Sequence, residues 1–249
     1  MKSQSYEHFY DAIGAINGWD FSQVRCISEG AAWDFYDTVR KACRKTDCLL
    51  DIGTGGGENA LSIASSLAFL IGIDLSRSMI ETALRNQSRA SVTNARFIPM
   101  DADRLEFPAG LFNLVSCRHA PFSAAEAARV LTDDGMLFTQ QVRESDKSNL
   151  KKAFGRGQAL DQEDGALRDR YIAELREAGF RDVQYAEYDA AEYYERDEDL
   201  LFLLKHTPII PGFGEDEQDY RILEQFINEF RDARGIRTNA ARFMIIARK

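Results

Sequence analysis

Short apolar runs alternate with stretches of helical periodicity over the middle of the chain. The apolar runs predict strands at 48–53, 69–74, 95–100, 112–117 and 136–142. Between them, Ser76 can cap a helix over 77–89 and Ser123 can cap one over 124–131, because a serine hydroxyl accepts from the free amides of a first helical turn. This alternation is typical of βαβ units on a parallel sheet, so it predicts a doubly wound, Rossmann-like α/β fold.

The pattern changes after Val142. A polar stretch at 155–165 precedes a predicted helix that Gly179 is placed to end. The apolar positions of this helix share one face: Leu167, Tyr171, Leu175 and Ala178. A sixth strand begins near Phe180 and a last one covers 241–247, which completes a mostly parallel sheet of seven strands.

A helical insertion is predicted before the last strand, at about 195–240. Two groups of apolar residues have helical spacing there, namely Leu200 to Leu204 and then Leu223, Phe226, Ile227 and Phe230. We expect these side chains to form core. The alternative is that they line a substrate pocket.

The first 47 residues contain many aromatic side chains and no clear strand. They predict a helical N-terminal cap at 1–47, followed by a domain at 48–249 that carries the insertion. Most of the rings are expected to anchor packing, although some can close over a ligand, because aromatic rings supply large contact areas.

Composition and charge exclude several classes of protein. Hydrophobic residues make up 45% and charged residues 29% of the chain, as in soluble globular domains. A net charge of -9 argues against affinity based on nucleic-acid phosphates. Without a signal-like N-terminus or a long apolar segment, the sequence predicts a cytoplasmic protein with no membrane partner. The spacing of its four cysteines and three histidines predicts neither a zinc site nor a disulfide framework.

A glycine-rich turn follows the first predicted strand, in the segment LLDIGTGGGENA at 49–60. Glycines are needed where backbone turns sharply and approaches a ligand without a Cβ in the way. The dinucleotide pattern G-x-G-x-x-G requires a glycine at position 58, where Glu58 stands. The pattern D-x-G-x-G-x-G is present instead, which disfavours binding of a pyrophosphate.

Two further strand ends carry acidic residues. Asp74 ends the second strand, where a carboxylate can accept from both ribose hydroxyls. Asp101 follows the third strand and can accept from the adenine amino group, while the amide of Ala102 can donate to a ring nitrogen. The three strand ends together indicate an adenosine site.

In the order of these motifs the chain resembles the class I S-adenosylmethionine-dependent methyltransferases. The segments that carry the resemblance are DIGTGGGE, GIDLS, PMDADRLEFP, FNLVSCRHA and ARVLTDDGMLFTQQV, over residues 47–143, with ARFMIIARK similar to the closing strand. The resemblance implies S-adenosylmethionine as cofactor. It assigns Asp51, Gly53, Gly55 and Gly57 to the methionine part, Asp74 with Leu75 to the ribose, Asp101 and Ala102 to the adenine, and Cys117 and Arg118 to the flanks of the sulfonium.

The end of the fourth predicted strand supplies the candidates for acceptor chemistry. His119 is the candidate general base, with a hydrogen-bonding or positioning role as the alternative. Arg118 can hold an acceptor carboxylate in a bidentate contact, or it can form a salt bridge. Cys117 is expected to be buried rather than nucleophilic.

We therefore expect transfer of a methyl group to oxygen or nitrogen of a small molecule, covered by the N-terminal helices and the insertion. The segment N/D-P-P-Y/F of some amino-group methyltransferases is missing after strand four. Three alternatives stay open: an RNA or protein methyltransferase, a nucleotide-binding oxidoreductase, and a non-catalytic S-adenosylmethionine-binding protein.

Overall fold

The structure is a computed structural model that describes residues 24–249, so the aromatic residues expected to anchor packing before Val24 lie outside the described part. The strands are β1 (Cys26–Glu29), β2 (Cys48–Ile52), β3 (Phe69–Asp74), β4 (Ala95–Pro99), β5 (Phe112–Arg118), β6 (Leu131–Val142), β7 (Asp182–Tyr194), β8 (Arg231–Asp232) and β9 (Gly235–Arg248). The helices are α1 (Phe35–Ala42), α2 (Glu58–Ile63), α3 (Arg77–Arg89), α4 (Ala124–Val130), α5 (Ser148–Phe154), α6 (Ala166–Glu177), α7 (Asp197–His206) and α8 (Gln218–Phe230). No helix in this part of the chain is long and apolar enough to cross a membrane.

All described strands join one sheet in the order β1-β7-β9-β6-β5-β2-β3-β4, with β8 paired to β9. The five strands from β6 to β4 are mutually parallel, and β9 runs antiparallel to both β6 and β7. The doubly wound α/β prediction is confirmed. The sheet has nine strands within residues 24–249 where the sequence predicted seven, and the two additions are β1 and β8.

The extra strand β1 lies in the N-terminal region that was predicted to be helical throughout. Its four residues are all exposed, so no apolar alternation marks them as a strand. The backbone of β1 pairs antiparallel with β7, from Cys26 opposite Tyr194 to Glu29 opposite Ala191. Helix α1 follows β1 in the same region.

Strand β2 is the point where the order of the parallel strands reverses. The chain continues from β2 to β3 and β4 on one side, and returns to β5 and β6 on the other. Ligands of open α/β sheets bind at such a point, at the carboxyl ends of the strands. The topology therefore brings the ends of β2, β3 and β5 together at one edge.

Helices cover both faces of the sheet. On one face, α1 to α3 pack against inward residues such as Leu49, Leu70 and Phe138. On the other face, α4 and α6 pack against Val115, Leu137 and their neighbours. Because both faces are buried, the central strands read as continuous apolar runs, which explains why they were recognisable from the sequence.

The insertion forms a third cluster with α5. Helices α7 and α8 fall inside the predicted range of about 195–240, and their apolar residues pack with Leu150 and Phe154. Leu200, Leu204, Leu223, Phe226 and Ile227 are all buried there. The expectation that these positions form core is confirmed.

Candidate cofactor and acceptor site

The turn between β2 and α2 has a backbone that requires glycine at three places. Gly53, Gly55 and Gly57 have φ values of +68°, +56° and +75°. Glycine adopts such left-handed conformations without the steric cost that a Cβ imposes. These are the three glycines of the D-x-G-x-G-x-G spacing.

Neighbouring elements approach this turn closely. A Cβ added at Gly53 would overlap the Cβ of Ala120, which lies in the loop after β5. A Cβ added at Gly57 would lie 2.8 Å from the ring of Phe97 on β4. The glycines therefore allow the ends of three strands to converge.

Asp74 at the end of β3 is bound to the glycine turn. Its Oδ2 accepts from the amide of Gly55 at 2.9 Å, and its Oδ1 accepts from the amide of Ser76 at 2.9 Å. These bonds tie the end of β3 to the glycine turn and to the start of α3. The side chain is half-buried, and the neighbouring Leu75 is 42% exposed. This strand end thus combines a carboxylate with an exposed apolar side chain.

Asp101 lies just beyond β4 and is exposed. Its Oδ1 accepts from the amide of Asp103 at 2.9 Å, which tightens the turn that follows, while Ala102 is half-buried. Both residues lie at the same edge of the sheet as Asp74, because β3 and β4 are parallel neighbours.

Asp51 is fully buried beneath the glycine turn. Its carboxylate accepts from the hydroxyl of Tyr36 at 3.2 Å and from the hydroxyl of Ser116 at 2.5 Å. Burial raises the pKa of Asp51 to about 6, although these hydrogen bonds favour the ionised form. The resemblance assigned Asp51 to the methionine part of the cofactor. Here its bonds are to protein groups that support the turn from below.

The loop after β5 begins with residues in very different environments. Cys117 is fully buried, as expected, and its thiol donates to the carbonyl of Ala120 at 3.1 Å. Burial raises the pKa of the Cys117 thiol well above its usual value, so the thiol is not a nucleophile. Its sulfur faces the core rather than the open edge.

Arg118 is half-buried, and its Nε is buried without a hydrogen-bond partner. No ion pair joins its guanidinium to a carboxylate within residues 24–249. Buried polar groups are normally satisfied, so an unsatisfied guanidinium nitrogen at a ligand-binding edge is a candidate contact for a ligand. Two roles were predicted for Arg118, namely binding of an acceptor carboxylate and a salt bridge. The salt bridge is not present in the described part of the chain.

His119 has a left-handed backbone with φ of +57°, and its amide donates to the carbonyl of Gln140 at 2.8 Å. His119 is an exposed residue overall, although its imidazole is crowded on the Nε2 side by the buried amide of Gln140. This crowding and the charges of Arg118, Arg242 and Lys147 hold the pKa of the imidazole well below its usual value. His119 is therefore neutral at pH 7.

Several polar residues of the site were not identified from the sequence. Trp33 donates from Nε1 to Oε1 of Gln140 at 2.7 Å, and Asn86 donates to the carbonyl of Gly56 at 2.9 Å. The available signal was a polar residue in an otherwise apolar buried strand, which applies to Ser116 and to Gln140. Trp33 and Asn86 carried no such signal.

The chain is similar to known methyltransferases in sequence and in fold. A family model described as a methyltransferase domain matches residues 49–135. The malonyl-[acyl-carrier protein] O-methyltransferase of Geobacter sulfurreducens is 31% identical over 202 residues, which cover 74% of this chain and 70% of that protein. An uncharacterised methyltransferase of Bacillus subtilis, YcgJ, is 35% identical over 100 residues, 37% of this chain and 40% of that protein. The match thus spans less than half of YcgJ.

The crystal structure of YcgJ superposes with a TM-score of 0.63 at 21% identity, over 86% of this chain and 97% of that one. The chain belongs to the class I S-adenosylmethionine-dependent methyltransferases. It is a methyltransferase enzyme, and its family implies S-adenosylmethionine as cofactor. The oxidoreductase alternative no longer applies.

Proposed function

We propose that this enzyme methylates a small carboxylic acid on a carboxylate oxygen, and that Arg118 binds the acceptor. The observation that carries the proposal is the guanidinium of Arg118, half-buried at the end of β5 with an unsatisfied Nε. A guanidinium presents parallel N–H groups that match the two oxygens of a carboxylate. Arg118 therefore supplies both charge and orientation for such a ligand.

The residues at the edge fit the cofactor. The glycine turn has the left-handed backbone of a close approach to a ligand and can face the methionine part, the carboxylate of Asp74 at the end of β3 can accept from the ribose hydroxyls, and Asp101 with Ala102 can bind the adenine. Asp51 supports the turn through Tyr36 and Ser116. When bound, S-adenosylmethionine supplies a methyl group on a positively charged sulfur, which is an activated leaving group.

The proposed transfer needs no general base. A carboxylate is already ionised at pH 7, so its oxygen attacks the methyl carbon directly and forms the new O–C bond. The C–S bond breaks and its electron pair returns to sulfur, giving a methyl ester and a neutral thioether. No proton moves in this step. The protein therefore contributes proximity and alignment of oxygen, carbon and sulfur.

Two further observations support the proposal. The relative that aligns over 74% of this chain is named as an O-methyltransferase, which favours oxygen as the acceptor atom. Trp33 and Tyr36 reach this edge from the segment before β2, which supports an N-terminal part that covers the acceptor. For the insertion, the cluster of α5, α7 and α8 supports a structural role first.

The first experiment is calorimetric titration with S-adenosylmethionine, S-adenosylhomocysteine and NAD, followed by an acceptor screen. Release of S-adenosylhomocysteine is measured with panels of small carboxylic acids, amines, phenols, protein and RNA. We expect binding of the first two ligands and turnover on carboxylic acids. Turnover confined to amines, protein or RNA contradicts the proposal, and cofactor binding with no turnover on any panel favours a non-catalytic binder.

An arginine variant tests the acceptor contact. Arg118→Met keeps most of the unbranched stem of the side chain and removes the charged guanidinium, so the KM for the acid is expected to rise about 10- to 100-fold while cofactor affinity is retained. Arg221→Met is the control, because Arg221 is exposed on α8. An unchanged KM in Arg118→Met would remove Arg118 from the acceptor site.

A further inference from the structure

Three polar side chains form a series at the carboxyl ends of the strands where the acceptor is proposed to bind, which we call the acceptor edge: Trp33 before α1, Gln140 on β6 and His119 after β5. The indole nitrogen of Trp33 lies 2.7 Å from Oε1 of Gln140, and Nε2 of Gln140 lies 2.9 Å from Nε2 of His119. Trp33 and His119 are distant in sequence, and each contacts a different end of the same amide. Gln140 is almost fully buried on β6, so its amide depends on these partners.

The chemistry of the three groups allows one arrangement of protons. An indole nitrogen only donates, so the amide group of Gln140 must direct its oxygen toward Trp33. The amide nitrogen then points toward His119, and an amide nitrogen also only donates. Consequently Nε2 of His119 must be the acceptor and carries no proton. A neutral imidazole in this position has its proton on Nδ1.

The surrounding contacts hold the series in place. The amide of His119 donates to the carbonyl of Gln140 at 2.8 Å, so the two residues are joined through backbone as well as side chain. The indole of Trp33 packs edge-on against the ring of Tyr188, with the centroids 4.6 Å apart. A reversal of the Gln140 amide would bring two donors together at Trp33 and is therefore disfavoured.

The charges around His119 also oppose a second proton on the ring. Arg118, Arg242 and Lys147 all act on the imidazole. The nearby acids are engaged with two of these cations, since Asp146 contacts Arg242 and Glu192 lies 2.7 Å from Lys147. An imidazolium would in addition place a proton between Nε2 and the amide of Gln140. Both the hydrogen bond with Gln140 and the nearby positive charges therefore favour the neutral imidazole.

From this geometry we infer that Trp33 and Gln140 are positioning residues that fix His119 as a hydrogen-bond donor through Nδ1–H. His119 then offers an N–H to an acceptor oxygen beside the guanidinium of Arg118. This differs from the general-base role predicted from the sequence, because the lone pair that a base needs is occupied by Gln140. The inference deepens the proposed function and rests on it only for the identity of the acceptor.

The tautomer can be measured directly on the full-length protein. Nitrogen-15 spectra of ring-labelled histidine distinguish a protonated ring nitrogen from an unprotonated one, and His119→Asn assigns the signal. We expect Nδ1 protonated and Nε2 unprotonated between pH 6 and 8. A proton on Nε2, or an imidazolium at pH 7, overturns the inference.

Two substitutions test the origin of the tautomer. Gln140→Glu replaces the donor facing His119 with an acceptor, so the proton is expected to move to Nε2 and the KM for the acid to rise about tenfold or more, with cofactor affinity retained. Trp33→Phe removes the indole N–H and is expected to give a mixture of tautomers. Gln184→Glu on the exposed part of β7 is the control and is expected to change neither signal nor KM.

The outcomes separate the two proposals. The expected tautomer without turnover on carboxylic acids leaves the inference standing and refutes the proposed acceptor. Turnover on carboxylic acids with a proton on Nε2 refutes the inference alone. If Gln140→Glu does not fold, the spectrum of the unsubstituted protein and of Trp33→Phe still decides the question.

Discussion

Replacing Gly53 with alanine is expected to destabilise the protein through two separable effects. With φ of +68°, an alanine at this position adopts a left-handed conformation that costs about 1–2 kcal/mol. Its Cβ would also overlap the Cβ of Ala120, and such overpacking costs about 1–3 kcal/mol. The expected loss in the free energy of unfolding is therefore about 2–5 kcal/mol.

A second glycine isolates the conformational part. Gly110 has φ of +69°, and a Cβ added there meets no atom within 4 Å. Gly110→Ala is therefore expected to cost about 1–2 kcal/mol and no more. The difference between the two variants measures the overlap with Ala120.

A double substitution provides the matching rescue. In the Gly53→Ala background, Ala120→Gly removes the methyl group that is overlapped, so the two changes are expected to couple favourably by about 1–3 kcal/mol. Urea unfolding gives the free energies, and calorimetry gives cofactor affinity, which should fall in Gly53→Ala and stay unchanged in Gly110→Ala. Equal losses for the two alanine variants, with no coupling to position 120, would refute the steric reasoning.

Three further predictions concern other parts of the molecule. Asp74→Ala is expected to abolish measurable cofactor binding by calorimetry while the chain stays folded, because the variant lacks the acceptor for Gly55 and for the ribose. The pKa of Asp51 is about 6 in the folded protein and 3.8 in an unfolded chain. The free energy of unfolding is therefore expected to fall by about 3 kcal/mol as the pH rises from below 3.8 to above 6. Urea midpoints between pH 4 and 7 should show this fall in the parent and lose it in Asp51→Asn. Phe226→Ala, at 1% exposure, is expected to cost about 3–5 kcal/mol in urea unfolding.

Each of these has an outcome that would contradict it. Unchanged affinity in Asp74→Ala would reject the placement of the ribose at the end of β3. Parallel pH profiles for the parent and Asp51→Asn would show that Asp51 ionises normally in the folded protein. Tyr220→Ala on the exposed side of α8 is the control for Phe226, and an equal cost for both would mean that α8 does not bury the face described.

Short sequence patterns predicted the elements that are stabilised by residues close to them in sequence. Ser76 and Ser123 accept from the amides of Met79 and Glu126, as their positions before two helices predicted. The central strands were visible because both faces of a parallel sheet are buried. By contrast, β1 pairs with a strand about 165 positions later in the chain, and its exposed side chains gave no pattern.

The acceptor edge shows the same division. The glycine turn and the position of Asp74 at a strand end could be predicted from the sequence, because glycine spacing and strand ends are local features, and their roles toward the cofactor stay predictions. The contact between Trp33 and Gln140 joins residues 107 positions apart, and no spacing rule connects them. The tautomer inferred for His119 depends on that contact, so the sequence could suggest a candidate base at this strand end but not the proposed donor role.

The position of β1 has a consequence for the order in which the molecule is assembled during synthesis. Strand β1 pairs with β7, and β7 is held in turn by β9, which leaves the ribosome much later than the glycine turn. The loop that carries Trp33 is therefore anchored on its β1 side only after the two late strands have formed. A nascent chain that ends after β6 contains the segment that forms the glycine turn. It lacks β7, which is the strand that pairs with β1 and carries Tyr188. The packing around Trp33, at the proposed acceptor site, is therefore completed later than the glycine turn.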